Sequence, residues 1–173
     1  TIDQQDFQAA VIEKSYIYED SSQQLTVTDM LSAAHSNKFS PTHNNQLSIK
    51  QSQSNYWLRV TISNQLTQLT PIILSLNQRH ADDVELWLIS ATSTHKIKQQ
   101  QSTALPLFIR GLSNTIFQIN IPAQTSQQII IKASSLTPNS LFIDAYSALA
   151  FANDKNMQRW ISGLCFGLVL TLT

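Results

Sequence analysis

The chain has 173 residues, of which 42% are apolar and only 13% are charged, and its eleven basic residues balance its eleven acidic ones. The apolar share is enough for one folded domain with a core, while the charged share is about half the usual value. Without a cluster of Lys and Arg, nothing in the sequence indicates nucleic-acid binding. A single cysteine, Cys165, excludes a disulfide framework and a cysteine-based zinc site.

The first fifty residues combine short apolar runs with loops. The opening stretch, TIDQQDFQAA, lacks the basic start and apolar core of a signal peptide, which leaves two alternatives: a cytosolic protein, or a chain that begins after its signal. The run LTV at 25–27 is strand-like, and Thr28 is a plausible helix cap, so we predict a short helix from Asp29 to about His35. A short strand is predicted at 47–49, where the sequence is LSI.

From residue 56 the sequence shows the alternation of apolar and polar residues that is typical of strands. Seven such segments are separated by turn-rich stretches: 56–63, 70–77, 83–90, 95–100, 115–121, 127–134 and 141–147. Strands at short intervals, with no long helix between them, predict an all-β protein built as an antiparallel sandwich or barrel. We expect this domain to span residues 1–147.

The end of the chain has a different character. Residues 148–159 are predicted to form a linker. Within it, the stretch AFANDKNMQR (150–159) has the pattern of a helix that is polar on one side. Residues 160–173 carry no charge, and as a helix they would span roughly 21 Å of the about 30 Å that a bilayer core requires. We therefore predict the start of a transmembrane helix, with Trp160 at the interface and Gly163 and Gly167 suited to close helix packing. The alternative is a buried C-terminal strand or helix of the sandwich.

Enzyme signatures are missing from the sequence, which has no nucleophile elbow, no HExxH, no P-loop and no GxGxxG. The histidines are scattered through predicted loops or the short helix, and we expect them at the surface: His35, His43, His80 and His95. Asp82 and Asp83, in RHADD, are weak candidates for calcium ligands, because two acids in a turn are weak evidence for a site. No cofactor is expected.

The stretch SNYWLRVTISN contains the strongest candidate site. Its apolar residues alternate with Trp57 and Arg59, and in DVELWLI the apolar residues alternate with Glu85 and Trp87. If the two strands share a sheet, all four of these side chains lie on its outer face. Indoles beside a charged pair are typical of sugar-binding sandwiches, where rings stack on a pyranose and charged groups bind its hydroxyls. The alternative is that loops cover both indoles and that Arg59 and Glu85 form a structural ion pair.

The order of these segments resembles a known family. YWLRVTISN, RHADDVELWLI, TIFQINIPAQTSQQIIIKASS and a final apolar run with GLCFG are similar to the second type of extracellular domain of bacterial seven-transmembrane receptors with diverse intracellular signalling modules, over Tyr18 to Thr173. The resemblance implies a jelly-roll-like antiparallel β-sandwich, similar to carbohydrate-binding modules, that faces the periplasm from the bacterial inner membrane. It also implies histidine kinase or diguanylate cyclase modules on the inner side, and it carries over no ligand-binding residues.

Three functions remain as alternatives. A periplasmic sensor domain would bind a carbohydrate-like small molecule and would present exposed indoles in a groove. An interaction domain would bind another protein or form a homodimer, without a small ligand, and its indoles would be buried. A glycan-active enzyme needs two placed carboxylates, and because Glu85 has no obvious partner we do not expect an enzyme.

Overall fold

The structure, a computed structural model, describes residues 1–11, 15–42, 47–49, 54–77, 83–90, 93–97, 115–134 and 139–154. Strands predominate within these ranges. The elements in chain order are β1 (Gln8–Ala10), β2 (Tyr16–Asp20), α1 (Val27–Leu31), α2 (Ala33–Ser36), β3 (Ser40–Pro41), β4 (Leu47–Ile49), β5 (Asn55–Ser63), β6 (Thr70–Asn77), β7 (Asp83–Ile89), β8 (Thr94–Ile97), β9 (Thr115–Ile121), β10 (Ser126–Ser134) and β11 (Asn139–Tyr146). Residues 148–154 are helical.

The strands form two antiparallel sheets. The larger has the order β3-β2-β5-β10-β7-β8, and the smaller has the order β1-β11-β6-β9, with β4 also paired to β11. The predicted all-β architecture is therefore confirmed. The sequence order of the strands does not reveal one feature that matters for the candidate site: β10 lies between β5 and β7.

One apolar core holds the two sheets together, and the alternation of the strands explains it. Successive side chains of a strand point to opposite faces, so every second residue of β5 faces inward. These inward residues pack against those of the smaller sheet in a single cluster that includes Tyr56, Leu58, Val60, Ile62, Ile72, Leu74, Leu76, Phe117, Ile119, Ile129, Ile131 and Ile143. Burial of each large apolar side chain contributes about 1.5–3 kcal/mol, which makes this cluster the main source of stability.

Helix α1 begins earlier than the sequence predicts. Residues 25–27 do not form a strand, and the cap of α1 is Thr26 rather than Thr28. The reason is a capping box: the Thr26 hydroxyl accepts from the Asp29 backbone N–H, and the Asp29 carboxylate accepts from the Thr26 backbone N–H at 2.8 Å and from its hydroxyl at 2.7 Å. These hydrogen bonds, led by that of the Thr26 hydroxyl, hold the pKa of Asp29 below its usual range.

Several predictions for the C-terminal part fall outside the described residues. The predicted linker, 148–159, is described as far as residue 154 and is helical there. Cys165 and the expected membrane run, 160–173, lie beyond that point. Among the described residues, no helix is both long and apolar enough to span a bilayer.

Candidate ligand-binding face

The four candidate residues share one face of one sheet. In β10, Lys132 lies opposite both Trp57 and Glu85, and Ile130 lies opposite both Arg59 and Trp87. All of these side chains therefore point away from the core between the sheets, as the alternation predicts. We call this surface the indole face and define it by Trp57, Arg59, Glu85, Trp87, Ile130 and Lys132.

The two indoles stack on each other above β10. Their ring centroids are 5.6 Å apart, and the angle between the ring planes is 24°. Trp57 is 1% exposed and Trp87 is 8% exposed. Stacking on a pyranose requires an open ring face, so in this conformation the indoles are packing residues rather than a sugar platform.

The segment that contains α1 and α2 covers the indoles. Met30 and Phe39 pack on Trp57, Trp87 and Ile130 in a second apolar cluster, separate from the core between the sheets. The side-chain N–H of Trp57 is buried and has no hydrogen-bond partner among the residues that the structure describes. An unpaired buried donor costs about 1–3 kcal/mol, so the packing of this cluster must offset that cost.

A turn organised by Asp20 positions this cover. The Asp20 carboxylate is buried, and its oxygen Oδ1 accepts from the Ser22 backbone N–H at 3.0 Å, from the Ser22 hydroxyl at 2.6 Å and from the Gln23 backbone N–H at 3.1 Å. Its oxygen Oδ2 accepts from the Leu25 backbone N–H at 3.2 Å. Gln23 adopts a φ of 59°, a left-handed conformation that is unusual for residues other than glycine. One carboxylate therefore fixes the path of the chain from β2 to α1.

A charged group lies beside the indoles and is more accessible than they are. Glu85 forms an ion pair with Lys96 and a second, at 3.9 Å, with Lys132. Each lysine ammonium lies 5.6 Å from an indole centroid, Lys96 over Trp87 and Lys132 over Trp57. Glu85, Lys96 and Lys132 form a charged rim at the side of the indole face, and since the Lys96 side chain is 55% exposed, a polar ligand can reach this rim.

Arg59 belongs to a different environment from Glu85. Its guanidinium lies 4.5 Å from the ring centroid of Phe39 and 5.3 Å from that of Tyr16, and it donates to the Ser36 backbone carbonyl at 3.0 Å. The structural ion pair between Arg59 and Glu85, which the sequence offered as the alternative to a sugar site, does not form, because β10 separates their strands. Arg59 instead ties β5 to the end of α2.

We expect Arg59→Ala to lower the free energy of unfolding by about 1–3 kcal/mol, because it removes a charged hydrogen bond and a cation–π contact. Arg59→Lys keeps a cation but loses the planar guanidinium donor, so it should lower the free energy of unfolding by less than Arg59→Ala does. Urea denaturation of both variants measures the difference. Equal stability of Arg59→Ala and the wild-type chain would contradict this structural role.

The structure describes only some of the other candidate residues. Asp82, His43 and His80 lie outside the described residues, and Asp83 is described only as the first residue of β7. His35 is in α2, where its ring is nearly perpendicular to that of Tyr18 with the ring centroids 6.0 Å apart, and the remaining histidine, His95, is exposed on β8. Across the described ranges, no group of three or more His, Cys, Asp or Glu side chains is placed to hold a metal ion.

Sequence reasoning missed Lys96, Lys132, Met30 and Phe39. One signal for a covered outer face was available in the strand SQQIIIKAS. Ile130 is two residues from Lys132 in this strand and therefore points to the same outer face. An apolar side chain on that face indicates that another segment of the chain packs on it. Which segment does so depends on contacts between residues far apart in the sequence.

Comparison with known families identifies the domain. The family model described as 7TMR-DISM extracellular 2 matches residues 13–147, which is most of the chain and nearly all of its described strands. No curated protein matches the chain.

Proposed function

The chain belongs to the 7TMR-DISM extracellular 2 family, and from this membership we propose that it is the ligand-sensing domain of a bacterial membrane signalling receptor. The family places the domain on the outer side of a membrane. We further propose that this side is the periplasm, that the membrane is the inner one, and that residues 160–173 begin its first transmembrane helix. The two-sheet architecture supports a jelly-roll-like, carbohydrate-binding-module-like sandwich. A receptor sensor family also supports a role that is not enzymatic.

The proposed ligand is a carbohydrate-like small molecule, and the charged rim is the proposed place for it. The observation that supports this site is the combination of Glu85, Lys96 and Lys132 at the accessible side of the indole face. Carboxylate and ammonium groups bind sugar hydroxyls through charge-assisted hydrogen bonds. Trp57 and Trp87 would pack beneath the site. Arg59 would hold in place the segment with α1 and α2 that covers the indoles.

A thermal-shift screen of the intact chain against mono- and disaccharides tests this proposal. A ligand at about 100 times its Kd adds about 2.7 kcal/mol of stability, which corresponds to a rise in Tm of roughly 5–10 °C for a domain of this size. We expect Glu85→Gln to abolish that rise, while the exposed and matched control Glu19→Gln keeps it. A rise that Glu85→Gln leaves intact would exclude the charged rim, and no rise with any sugar would exclude the ligand class.

The burial of Trp57 and Trp87 favours a second function, in which the domain binds another protein or a second copy of itself without a small ligand. Large apolar side chains that are exposed among the described residues offer contact surface for it: Tyr16, Leu69, Phe142 and Leu149. Sedimentation analysis over a range of concentrations distinguishes the two functions. A dimer that Tyr16→Ser or Phe142→Ser dissociates would support this alternative.

A further inference from the structure

A cavity of about 380 Å³ lies where the N-terminal segment crosses from one sheet to the other. The Ile2 backbone N–H donates to the Ser63 carbonyl at 2.7 Å, and the Ile2 carbonyl accepts from the Gln65 backbone N–H at 2.8 Å, which fixes the segment to the end of β5. The chain then joins the other sheet as β1, beside β11. The segment therefore closes one edge of the sandwich and leaves behind it a space within the usual range for small-molecule sites, about 300–1,000 Å³.

The lining of this cavity has two chemically different parts. Its apolar wall comes from buried side chains of both sheets and of the N-terminal segment: Ile2, Val11, Val60, Ile62 and Ala145. Its polar residues include two acidic ones, Asp3 and Asp6, together with Thr1, Gln4, Gln8 and Thr61. No Lys or Arg side chain is among the described lining residues, so the side chains give the cavity a negative charge. That charge favours a cationic ligand, and the apolar wall favours one with a hydrocarbon part.

A metal ion is a poorer match for the same cavity. Calcium takes six to eight oxygen ligands. Asp3 and Asp6 supply carboxylates, but within the described residues no third acidic, histidine or cysteine side chain joins them in a metal-binding group. A metal ion would also make no contact with the apolar wall, whereas the hydrocarbon part of an organic cation would pack against it.

Asp6 connects the cavity to the helical segment 148–154. Its oxygen Oδ1 accepts from the hydroxyl of Ser147 at 2.6 Å, and the Ser147 backbone N–H donates to the Phe7 carbonyl at 2.9 Å. The Ser147 hydroxyl in turn accepts from the Ala150 backbone N–H, and the Ser147 carbonyl accepts from that of Phe151, both at 3.0 Å. Ser147 thus caps the first turn of the helical segment while it is held by a residue of the cavity lining.

We propose that this cavity binds a small organic cation, an ammonium or guanidinium group on a compact apolar body, and that Asp6 and Ser147 transmit its binding to the helical segment 148–154. The binding site stands on the cavity itself, and the transmission rests on the proposed sensing function. A cation that engages the Asp6 carboxylate changes the hydrogen bond that holds Ser147, and through it the first turn of the helical segment.

Titration of the intact chain with cyclohexylammonium tests the binding site, and cyclohexanecarboxylate serves as a control with the same ring and opposite charge. We expect saturable binding of the cation only, and a loss of at least about tenfold in affinity for Asp6→Asn and for Asp3→Asn. Glu19→Gln, an exposed residue outside the cavity, should bind as the wild-type chain does. Equal binding of the carboxylate, unchanged binding by both Asp variants, or competition by Ca²⁺ alone would overturn the site.

The transmission is measured separately, from the amide resonances of Ala150 and Phe151 during the same titration. We expect the cation to move these resonances in the wild-type chain. For Ser147→Ala, we expect the affinity for the cation to change less than about threefold, because the lining of the cavity is kept. The Ala150 and Phe151 resonances should not move, because the hydrogen bond that links Asp6 to the helical segment is removed. Resonances that move equally in Ser147→Ala would overturn the transmission. The sugar screen with Glu85→Gln uses a different ligand and a different face, so its failure is distinguishable from failure here.

Discussion

Trp57→Ala is expected to lower the free energy of unfolding by about 3–5 kcal/mol, because the variant loses a large buried side chain and leaves a cavity in its place. Trp57 is among the largest fully buried side chains of the described residues, and its indole is stacked on that of Trp87. Urea denaturation at neutral pH, followed by far-ultraviolet circular dichroism, measures the change.

Two further variants separate the role of the ring from that of its N–H group. Trp57→Phe keeps an aromatic ring and removes a buried N–H that has no partner among the described residues, so its loss should be well below that of Trp57→Ala. Leu69→Ala removes an apolar side chain that is 58% exposed, and it should change stability by no more than about 0.5 kcal/mol. If Trp57→Ala proves no more destabilising than Leu69→Ala, the indole is not a packing residue, and an open sugar platform becomes the better explanation.

Asp20→Ala is expected to lower the free energy of unfolding by about 3 kcal/mol or more. Asp20 is 2% exposed, and its carboxylate accepts hydrogen bonds from Ser22, Gln23 and Leu25. Each hydrogen bond to a charged group contributes about 1.5–3 kcal/mol, and loss of the carboxylate leaves the donors of the turn unpaired. Since this turn leads into the segment that covers the indoles, the variant should also expose Trp57 and shift tryptophan fluorescence to longer wavelength.

Neighbouring variants provide the controls for Asp20. Asp20→Asn keeps one side-chain oxygen as an acceptor but replaces the other with an NH2 group, which can only donate. It therefore satisfies fewer N–H groups of the turn, and its loss of stability should be intermediate. Glu19→Gln changes an exposed carboxylate next to it and should have little effect. Gln23→Gly should not be strongly destabilising, because glycine adopts the left-handed conformation at position 23 without steric cost. Wild-type stability of Asp20→Ala would show that the turn does not depend on this carboxylate.

Sequence reasoning located the parts of the fold that depend on local pattern. Period-two alternation predicted the seven strands from residue 56 onward within a residue or two wherever the structure describes them, and it assigned Tyr56, Leu58, Val60 and Ile62 to the core. It also put Trp57 and Arg59 on the opposite face, which the register confirms. These results follow because the direction of a side chain in a strand is fixed by its position relative to its neighbours. The cap of α1 was misplaced by two residues, since Thr26 and Thr28 are both suitable caps and only the box with Asp29 distinguishes them.

By itself, then, the sequence determined the strands and their inner faces, because each depends on residues that are near one another in the chain. It also determined the family, because the succession of these segments over residues 13–147 matches the family model. The tertiary structure alone decided what the outer face does. Insertion of β10 between β5 and β7 gave Glu85 two lysines as partners and left Arg59 to Phe39 and Ser36. Packing of α1 and α2 on the same face buried both indoles. Strand order and the docking of a helical segment depend on contacts between distant residues, and local periodicity carries no information about which distant partner a face will meet.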